Sequence, residues 1–526
     1  MHDSSYNAAF ALDRSAWTRP AALSVVYGDR RWTVAQAAHL TRQLAQLLAQ
    51  SGVSKGDRVL FVAHNSPYHL FVYVACARLG AVFVPVSFRL AQNEVQEIVD
   101  FCSPRAIFAD ATVAARGSFA STGTFMSFVI DDDPAGGSYG AGIANGYFAL
   151  TPALASLDGT LVSDCRGSGS ASLNTVEYPT GTAAIFYTSG SASGSLRAVE
   201  LTHRNLWWAA RNFREGFGYG VDDVIVVGAS LAHIGGFNGT SLDVWTHGGT
   251  LVTLGFPGSF DARGVLDAIE RYRISMMFAV PAIVRALVEE FDRGGGDLSS
   301  WTRPLIGGDA LTGDVADMMH RVGVSPIHVW GMTETSGAGT VATPDCGAPT
   351  GSLGAPFPYV DLRVMANDER EADAGEIGEI WVRGPGVVSG EEWLHTGDLA
   401  TRDEDGWLHL VGRAHRMINT AGELVAPPSV ERALRTLEAV SDALVVGLPD
   451  ERWGQVVAAL IVASPAGRDE ASSLTVERMS EALDGVLAPW EKVRRVMMVE
   501  QLPTTTTGKP DPVEATHLFA ISEQRM

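Results

Sequence analysis

The chain is poor in cysteine, poor in lysine and free of long apolar runs. Four cysteines (Cys76, Cys102, Cys165 and Cys346) are scattered over 526 residues with no CxxC pair. That spacing excludes a disulfide scaffold and a cysteine zinc site, and it fits a reducing cytoplasm. No apolar stretch reaches the ~18 residues of a membrane span, so no membrane association is expected. The opening MHDSSYNAAFALDRSAW has no basic segment followed by an apolar one, so no secretory leader is expected. Lysine occurs only at positions 55, 492 and 509, and the remaining basic residues are arginines. A lysine inside a motif therefore carries more information than usual. The formal charge of −21 repels phosphate backbones, which weighs against general nucleic-acid binding.

What is present suits a large globular chain. Apolar residues make up 46% and charged residues 19%, enough for extensive burial and too apolar for disorder. The length implies two to four folding units. Up to residue 115, helical and strand patterns alternate. Trp32–Ser51 has apolar residues at helical spacing, Arg58–Ala63 reads as a buried strand, His69–Leu79 as a helix, Gly80–Val86 as a strand and Asn93–Phe101 as a helix. Such alternation implies a parallel sheet covered on both faces. Residues 118–180 are rich in Gly, Ser, Ala and Thr and read as connectors. Alternation then returns: a strand AIFYT, a loop, a helix from Thr202, a strand VIVVG, a helix over Ala262–Tyr272 and a strand SMMFAV. Short alternating strands near 361–383 suggest a small antiparallel barrel. The last ~110 residues read as a compact mixed unit with helices over Ser429–Leu437 and Thr475–Leu487. The expected architecture is α/β: a large N-terminal domain, residues 1–412, of parallel or mixed sheets layered with helices plus a small antiparallel barrel, and a small mobile α+β C-terminal domain, residues 413–526.

Several segments carry chemistry. In TSGSASGSLRAV (188–199), a buried strand enters a loop of small hydroxyl residues and glycines. Its backbone N–H groups could cradle a polyphosphate. Alone, such a run is as often a plain surface loop. It is followed in order by WGMTET (330–335), TGD (396–398), Gly412-Arg413 with Gly422 beyond, and PTTTTGK (503–509). In order and spacing these resemble the adenylate-forming superfamily of acyl-CoA synthetases, luciferases and nonribosomal peptide adenylation domains. ARLGAVFVPVSFRL and PDERWGQVVAALIV are similar to its acyl-CoA synthetase branch, and the likeness spans nearly the whole chain.

The resemblance implies an enzyme, an acid–thiol ligase. A carboxylate attacks the α-phosphate of ATP, giving an acyl-adenylate (acyl-AMP) and pyrophosphate. A thiol, usually of CoA, then displaces AMP, with the small domain rotating between the two steps about a hinge near His415. Asp398 falls where the family binds the ribose hydroxyls, a task suited to a carboxylate, and Arg413 where it contacts ribose or phosphate. Gly307, Gly308, Asp309 and Ala310, with Val329, Trp330 and Gly331, match the segments flanking adenine. Thr333 and Glu334 match positions touching the α-phosphate and Mg²⁺, so Glu334 is the expected metal ligand where adenylation is retained. His233, at the start of a helix expected over His233–Gly239, matches the gate beside the acyl pocket, which Gly236, Gly308 and Gly331 would also line. Gly422 would let a loop lie along the pantetheine arm. Lys509 would neutralise charge developing at the α-phosphate.

The phosphate loop (Thr188, Ser189, Gly190, Ser191, Ala192, Ser193, Gly194, Arg197) departs from the family pattern. Ala192 stands for Thr, Ser193 reads as an insertion, Leu196 replaces Pro, Arg197 replaces Lys and Ala198 replaces Gly. Alanine resists backbone angles open to glycine, and a cradle misplaced by an ångström costs about a hundredfold in rate. The loop's family task is to hold the β- and γ-phosphates, which an acyl-adenylate lacks. The leading expectation is therefore an acyl-CoA ligase that takes a preformed acyl-AMP, supplied by a separate adenylating enzyme, and has weak or lost adenylation. The alternatives are a complete ATP-dependent synthetase, an enzyme loading a carrier-protein thiol, and a non-catalytic acyl-adenylate binder. The segment from Gly384 to Asp398 is about ten residues shorter than is usual, which could open the site.

Overall fold

The computed structural model describes residues 3–116, 119, 125–131, 147–157, 178–189, 196–254, 260–309, 311–420, 423–450, 452–464, 475–505 and 510–524. Contacts divide the chain into two compact units, one of residues 1–361 with 382–394, the other of 362–381 with 395–526. No helix among the described residues is long and apolar enough to cross a membrane.

The first unit holds two sheets. In the seven-stranded sheet, Phe148–Ala149, Met126–Ile130, Ala106–Asp110, Arg58–Ala63, Val82–Ser87 and Thr182–Ser189 are parallel neighbours, and Leu196–Thr202 closes one edge antiparallel. In the nine-stranded sheet the parallel run is Leu23–Tyr27, Thr250–Thr253, Val224–Val226, Met276–Ala279, Arg303–Gly307 and Ile327–Trp330. Antiparallel strands finish both of its edges. Parallel pairing requires crossovers, and helices provide them. Tyr68–Leu79 is apolar all round and buried along almost its whole length, as a helix covered on every side must be. Gly80 ends it at φ 71, an angle that favours glycine. The amphipathic helix Ala262–Tyr272 instead buries one stripe, Val265, Leu266, Ala268 and Ile269.

The second unit holds a five-stranded sheet in the order Arg370–Glu371, Asp361–Asn367, Gly378–Arg383, Leu394–Arg402, Leu408–Arg413. A second sheet is centred on the hairpin Val440–Asp450 and Gly454–Ala463, with Arg495–Val499 parallel to the latter. Its strands alternate. Val445, Val457, Ala459 and Ile461 pack with Val430, Leu434 and Met479 on one face. Val446, Val456, Ala458 and Leu460 pack with Ala515 and Phe519 on the other.

Three readings are corrected. The stretch from the hydroxyl-rich loop to Thr202 is not all loop, since Leu196–Thr202 is a strand and the helix His203–Phe217 starts after it. Residues 190–195, which carry most of the hydroxyl-rich run, lie outside the described residues. The helix expected over Thr475–Leu487 spans Val476–Ala482, and beyond it Gly485 turns the chain at φ 81. The helix at His233–Gly239 begins at Ile234 and widens into a π segment over Asn238–Leu242 before Asp243–Thr246.

Candidate active site

The first unit gathers candidates at the carboxyl ends of parallel strands, where open α/β sheets bind ligands. Arg303–Gly307 runs into Gly308, which has φ 79, and on to Asp309. Its neighbour Ile327–Trp330 runs into Gly331, with Gly307 opposite Val329 in the ladder. The backbones here are too close for side chains. A Cβ on Gly307 would lie 2.5 Å from the Val329 oxygen, and one on Gly331 would lie 2.3 Å from the Gly337 oxygen. Trp330 is 7% exposed, and its ring lies against Gly339, where a Cβ would come within 2.4 Å of it.

After Gly331, the 3-10 turn Thr333–Thr335 is closed by Ser336 in the left-handed region. The Met332 N–H donates to the Thr335 hydroxyl, 3.0 Å, and the Ser336 hydroxyl donates to the Gly386 carbonyl, 2.8 Å. The Glu334 carbonyl accepts from Val388 N–H at 2.9 Å. Asn205, in the first turn of His203–Phe217, donates to the Pro385 and Val387 carbonyls at 3.2 and 3.0 Å. The shortened segment after Gly384 thus folds onto this turn.

Glu334 is 6% exposed. Arg197 Nη1 lies 3.5 Å from its Oε1, with side-chain exposures of 67% and 7% for the two partners. Arg197 owes its place to the hairpin, whose ladder pairs Thr188 with Arg197 and Ser189 with Leu196. No motif joined these residues, and nothing in the sequence signals a pair so far apart. Mg²⁺ carried by nucleotide phosphates commonly takes only one or two carboxylates from protein. Glu334 suits that role chemically, but a guanidinium already stands beside it. Among the described residues, no cluster of three or more His, Cys, Asp or Glu could hold a metal ion.

His233 is half-buried in extended backbone just before Ile234–Phe237. The Gly236 Cβ position lies 2.4 Å from the Ser230 oxygen, so glycine lets this helix close on the loop ahead of His233. A Cβ on Gly235 would lie 2.8 Å from the Phe278 ring, and one on Gly307 would lie 3.0 Å from the same ring. The start of this helix and the Gly307 strand therefore converge on Phe278. His203 is buried, and burial pushes its pKa down to about 4.

The second unit brings Asp398 and Arg413 together. They are ladder partners in adjacent strands, and Arg413 Nε is 2.5 Å from Asp398 Oδ1. Asp398 is 4% exposed. The residues before it explain the TGD pattern. The Thr396 hydroxyl donates to the Ile380 carbonyl at 2.6 Å and accepts from Asp398 N–H at 3.1 Å. Gly397 turns at φ 71 while its N–H donates to Glu379 Oε1 at 2.8 Å. His415 is exposed in the turn Ala414–Arg416. Partial burial and the charges of Arg413 and Arg416 lower its pKa. Lys509, Gly422, Ala310 and Gly190, Ser191, Ala192, Ser193 and Gly194 lie outside the described residues.

The first unit offers glycine-lined strand ends with a buried carboxylate, and the second, by itself, a carboxylate–guanidinium pair at the Asp of TGD, features that suit a nucleotide-handling α/β enzyme. Residues 12–390 match the family model of the AMP-binding enzymes, and residues 429–509 match that of the AMP-binding enzyme C-terminal domain. The chain belongs to this adenylate-forming family, in its acyl-CoA synthetase branch. It is 30% identical over 513 residues to an indoleacetate–CoA ligase of Aromatoleum aromaticum, covering 95% of each chain. It is also 30% identical over 513 residues to a feruloyl-CoA synthase of an Amycolatopsis species, covering 94% of this chain and 96% of that one. The crystal structure of the anthranilate CoA ligase AuaEII with anthranoyl-AMP superimposes with a TM-score of 0.83 at 22% identity, covering 99% of this chain and 100% of that one. That likeness bears on the fold.

Proposed function

We propose that this acid–CoA ligase works chiefly as the second half of a synthetase, taking an acyl-adenylate and CoA to an acyl-CoA and AMP. The CoA sulfur bonds to the acyl carbonyl carbon, the bond from that carbon to the AMP oxygen breaks, AMP leaves with the electron pair, and the thiol proton passes to solvent. The carrying observation is the position of Arg197 beside the buried Glu334 carboxylate. Glu334 would hold a Mg²⁺ that supplies charge neutralisation to a triphosphate, and the neighbouring Arg197 cation would weaken that binding, whereas an acyl-adenylate has no outer phosphates to be neutralised. The departures at Ala192 and Ser193 in the hydroxyl-rich run add to the same reading, while Leu196, Arg197 and Ala198 stand in an extended strand that accommodates them. Aryl acids are the favoured substrate class, because the relatives named above act on indoleacetate and form feruloyl-CoA.

Within this reading, Asp398 and Arg413 take the ribose and phosphate, Thr333 faces the α-phosphate and His233 sits beside the acyl group. The small domain, including Lys509 and Gly422, turns near His415. The test supplies the purified protein first with ferulate or indoleacetate, ATP, Mg²⁺ and CoA, then with the synthetic acyl-adenylate and CoA. Thioester formed far faster from the adenylate is the expected result. Equal rates from both mixtures defeat the specialised reading and favour a complete ATP-dependent synthetase, the reading that the CoA ligases at 30% identity support.

A further inference from the structure

Asn65 lies far in sequence from every motif above, yet its carboxamide reaches the loop that carries His233. Its Nδ2 donates to the Ala229 carbonyl at 2.8 Å, and its Oδ1 accepts from Leu231 N–H at 2.9 Å. One side chain thus grips both sides of Ser230. Within the loop, the Ser230 hydroxyl accepts from Ala232 N–H at 3.2 Å and the Ser230 carbonyl accepts from His233 N–H at 3.2 Å. The next helix turn runs so close to the same carbonyl that a Cβ on Gly236 would collide with it. A displacement of Ser230 is therefore transmitted both to His233 and to the helix after it.

The base of Asn65 is held firmly. It follows the strand Arg58–Ala63, at the carboxyl end of the seven-stranded sheet. The neighbouring His64 is bound through its backbone N–H and its Nδ1 to Asp110 Oδ2, at 2.7 and 2.6 Å, and its ring stacks on Phe88 at 3.8 Å. Asp110 in turn accepts from Val113 N–H at 2.8 Å. Ser66, on the other side, is 3% exposed. Asn65 therefore carries the position of one sheet to a loop that follows Val224–Val226 of the other sheet.

We propose that Asn65 is a positioning residue for the acyl end of the site: it fixes the Ala229–Ala232 loop and, through that loop, sets where His233 stands against the acyl group. The proposal rests on the reading that His233 lies beside that group. A carboxamide suits the task because it offers a donor and an acceptor together. Aspartate keeps the size but places a carboxylate against the Ala229 carbonyl. Sites lose rate and affinity when such supporting contacts loosen by fractions of an ångström.

The test measures binding by calorimetry, independent of which half-reaction the enzyme performs. The probes are AMP and a non-hydrolysable feruloyl-sulfamoyl adenosine. Asn65→Ala should weaken the acyl probe about tenfold and leave AMP within twofold, and Asn65→Asp should weaken the acyl probe further despite its equal size. Asn65→Ser, which can remake one of the two bonds, should fall between wild type and Asn65→Ala, and it serves if Asn65→Ala folds poorly. In a His233→Ala background, Asn65→Ala should add less than twofold, because its effect passes through His233. Equal losses for AMP and the acyl probe, or full additivity with His233→Ala, overturn the proposal. If His233→Ala alone leaves the acyl probe unaffected, the reading of His233 fails instead.

Discussion

Arg197→Ala separates two opposite roles for one cation. If Arg197 serves as the family's lysine does, gripping outer phosphates, its loss lowers ATP-dependent adenylation. If it chiefly neutralises Glu334, its loss frees a carboxylate for Mg²⁺. The structure favours the second, with Nη1 3.5 Å from Oε1 of a carboxylate that is 7% exposed. The magnitude is bounded by the other partner. The Arg197 side chain is 67% exposed, so solvent screens the pair, and pairs of this kind contribute at most about 1 kcal/mol. Converted at ~1.4 kcal/mol per decade, that is roughly fivefold in an equilibrium constant. The Mg²⁺ concentration giving half-maximal pyrophosphate release should therefore fall up to about fivefold in Arg197→Ala. Thioester formation from synthetic acyl-adenylate should stay within twofold, and thermal stability should hardly move. Pyrophosphate release coupled to a colour reaction, titrated with Mg²⁺ at saturating acid, reads the effect. A tenfold fall in pyrophosphate release at every Mg²⁺ concentration, with adenylate-dependent thioester formation intact, would refute the reasoning.

Three other outcomes follow from single contacts. Asp398→Asn keeps the size of a residue that is 4% exposed but weakens its pairing with Arg413, so AMP affinity by calorimetry should fall at least about tenfold with little change in melting. Gly331→Ala drives a Cβ toward a backbone oxygen 2.3 Å away. Backbone on both sides cannot yield cheaply, so the variant should lose about 1–3 kcal/mol of stability in urea unfolding together with AMP binding. Burial pushes the pKa of His69 down to about 3 and that of His203 to about 4. Above pH 6.5 both are neutral whether folded or not. As pH falls below 6.5, the unfolded chain takes up protons that the folded chain refuses, so stability is lost, by about 2 kcal/mol for each at pH 5. His203→Phe should flatten the decline in melting temperature between pH 7 and 5, and an unchanged slope removes His203 from the account.

The parts of this fold that could be read from sequence are those whose pattern is local. Val59–Ala63 is an unbroken apolar run, and the structure buries all of it within the strand Arg58–Ala63. Ala262–Tyr272 carries one apolar stripe and is a helix over that span. Where the reading overran, apolar spacing had outlived the regular backbone. Met479, Leu483 and Leu487 are all buried at helical intervals, but the helix ends at Ala482 and Gly485 turns the chain before Leu487. Leu196–Thr202 was hidden for a different reason. Its alternation is legible, with Val199 and Leu201 buried around exposed Glu200, but its first four residues stood inside a motif whose wording suggested a loop. The site was legible as separate phrases and not as a contact map. No local pattern could join Arg197 to Glu334 or Asn65 to Ala229, because tertiary packing decides those meetings.

The hairpin also explains how a lengthened phosphate loop can coexist with an undisturbed carboxylate. Side chains alternate along a strand, so a one-residue slip of Leu196–Thr202 would turn Arg197 to the opposite face of the sheet. Val199 and Leu201 would leave the core with it, at a cost of about 1.5–3 kcal/mol each. The ladder keeps Thr188 opposite Arg197 and Ser189 opposite Leu196, so an inserted Ser193, as the family resemblance reads it, leaves this register in place. Deleting Ser193 should then leave it in place as well. The expected result is a gain in ATP-dependent adenylation, measured as pyrophosphate release, with thioester formation from the acyl-adenylate and the melting temperature both unchanged. Loss of both activities with a lowered melting temperature would mean that the deletion had pulled the strands out of register, and the phosphate loop could not then be separated from the Arg197–Glu334 pair.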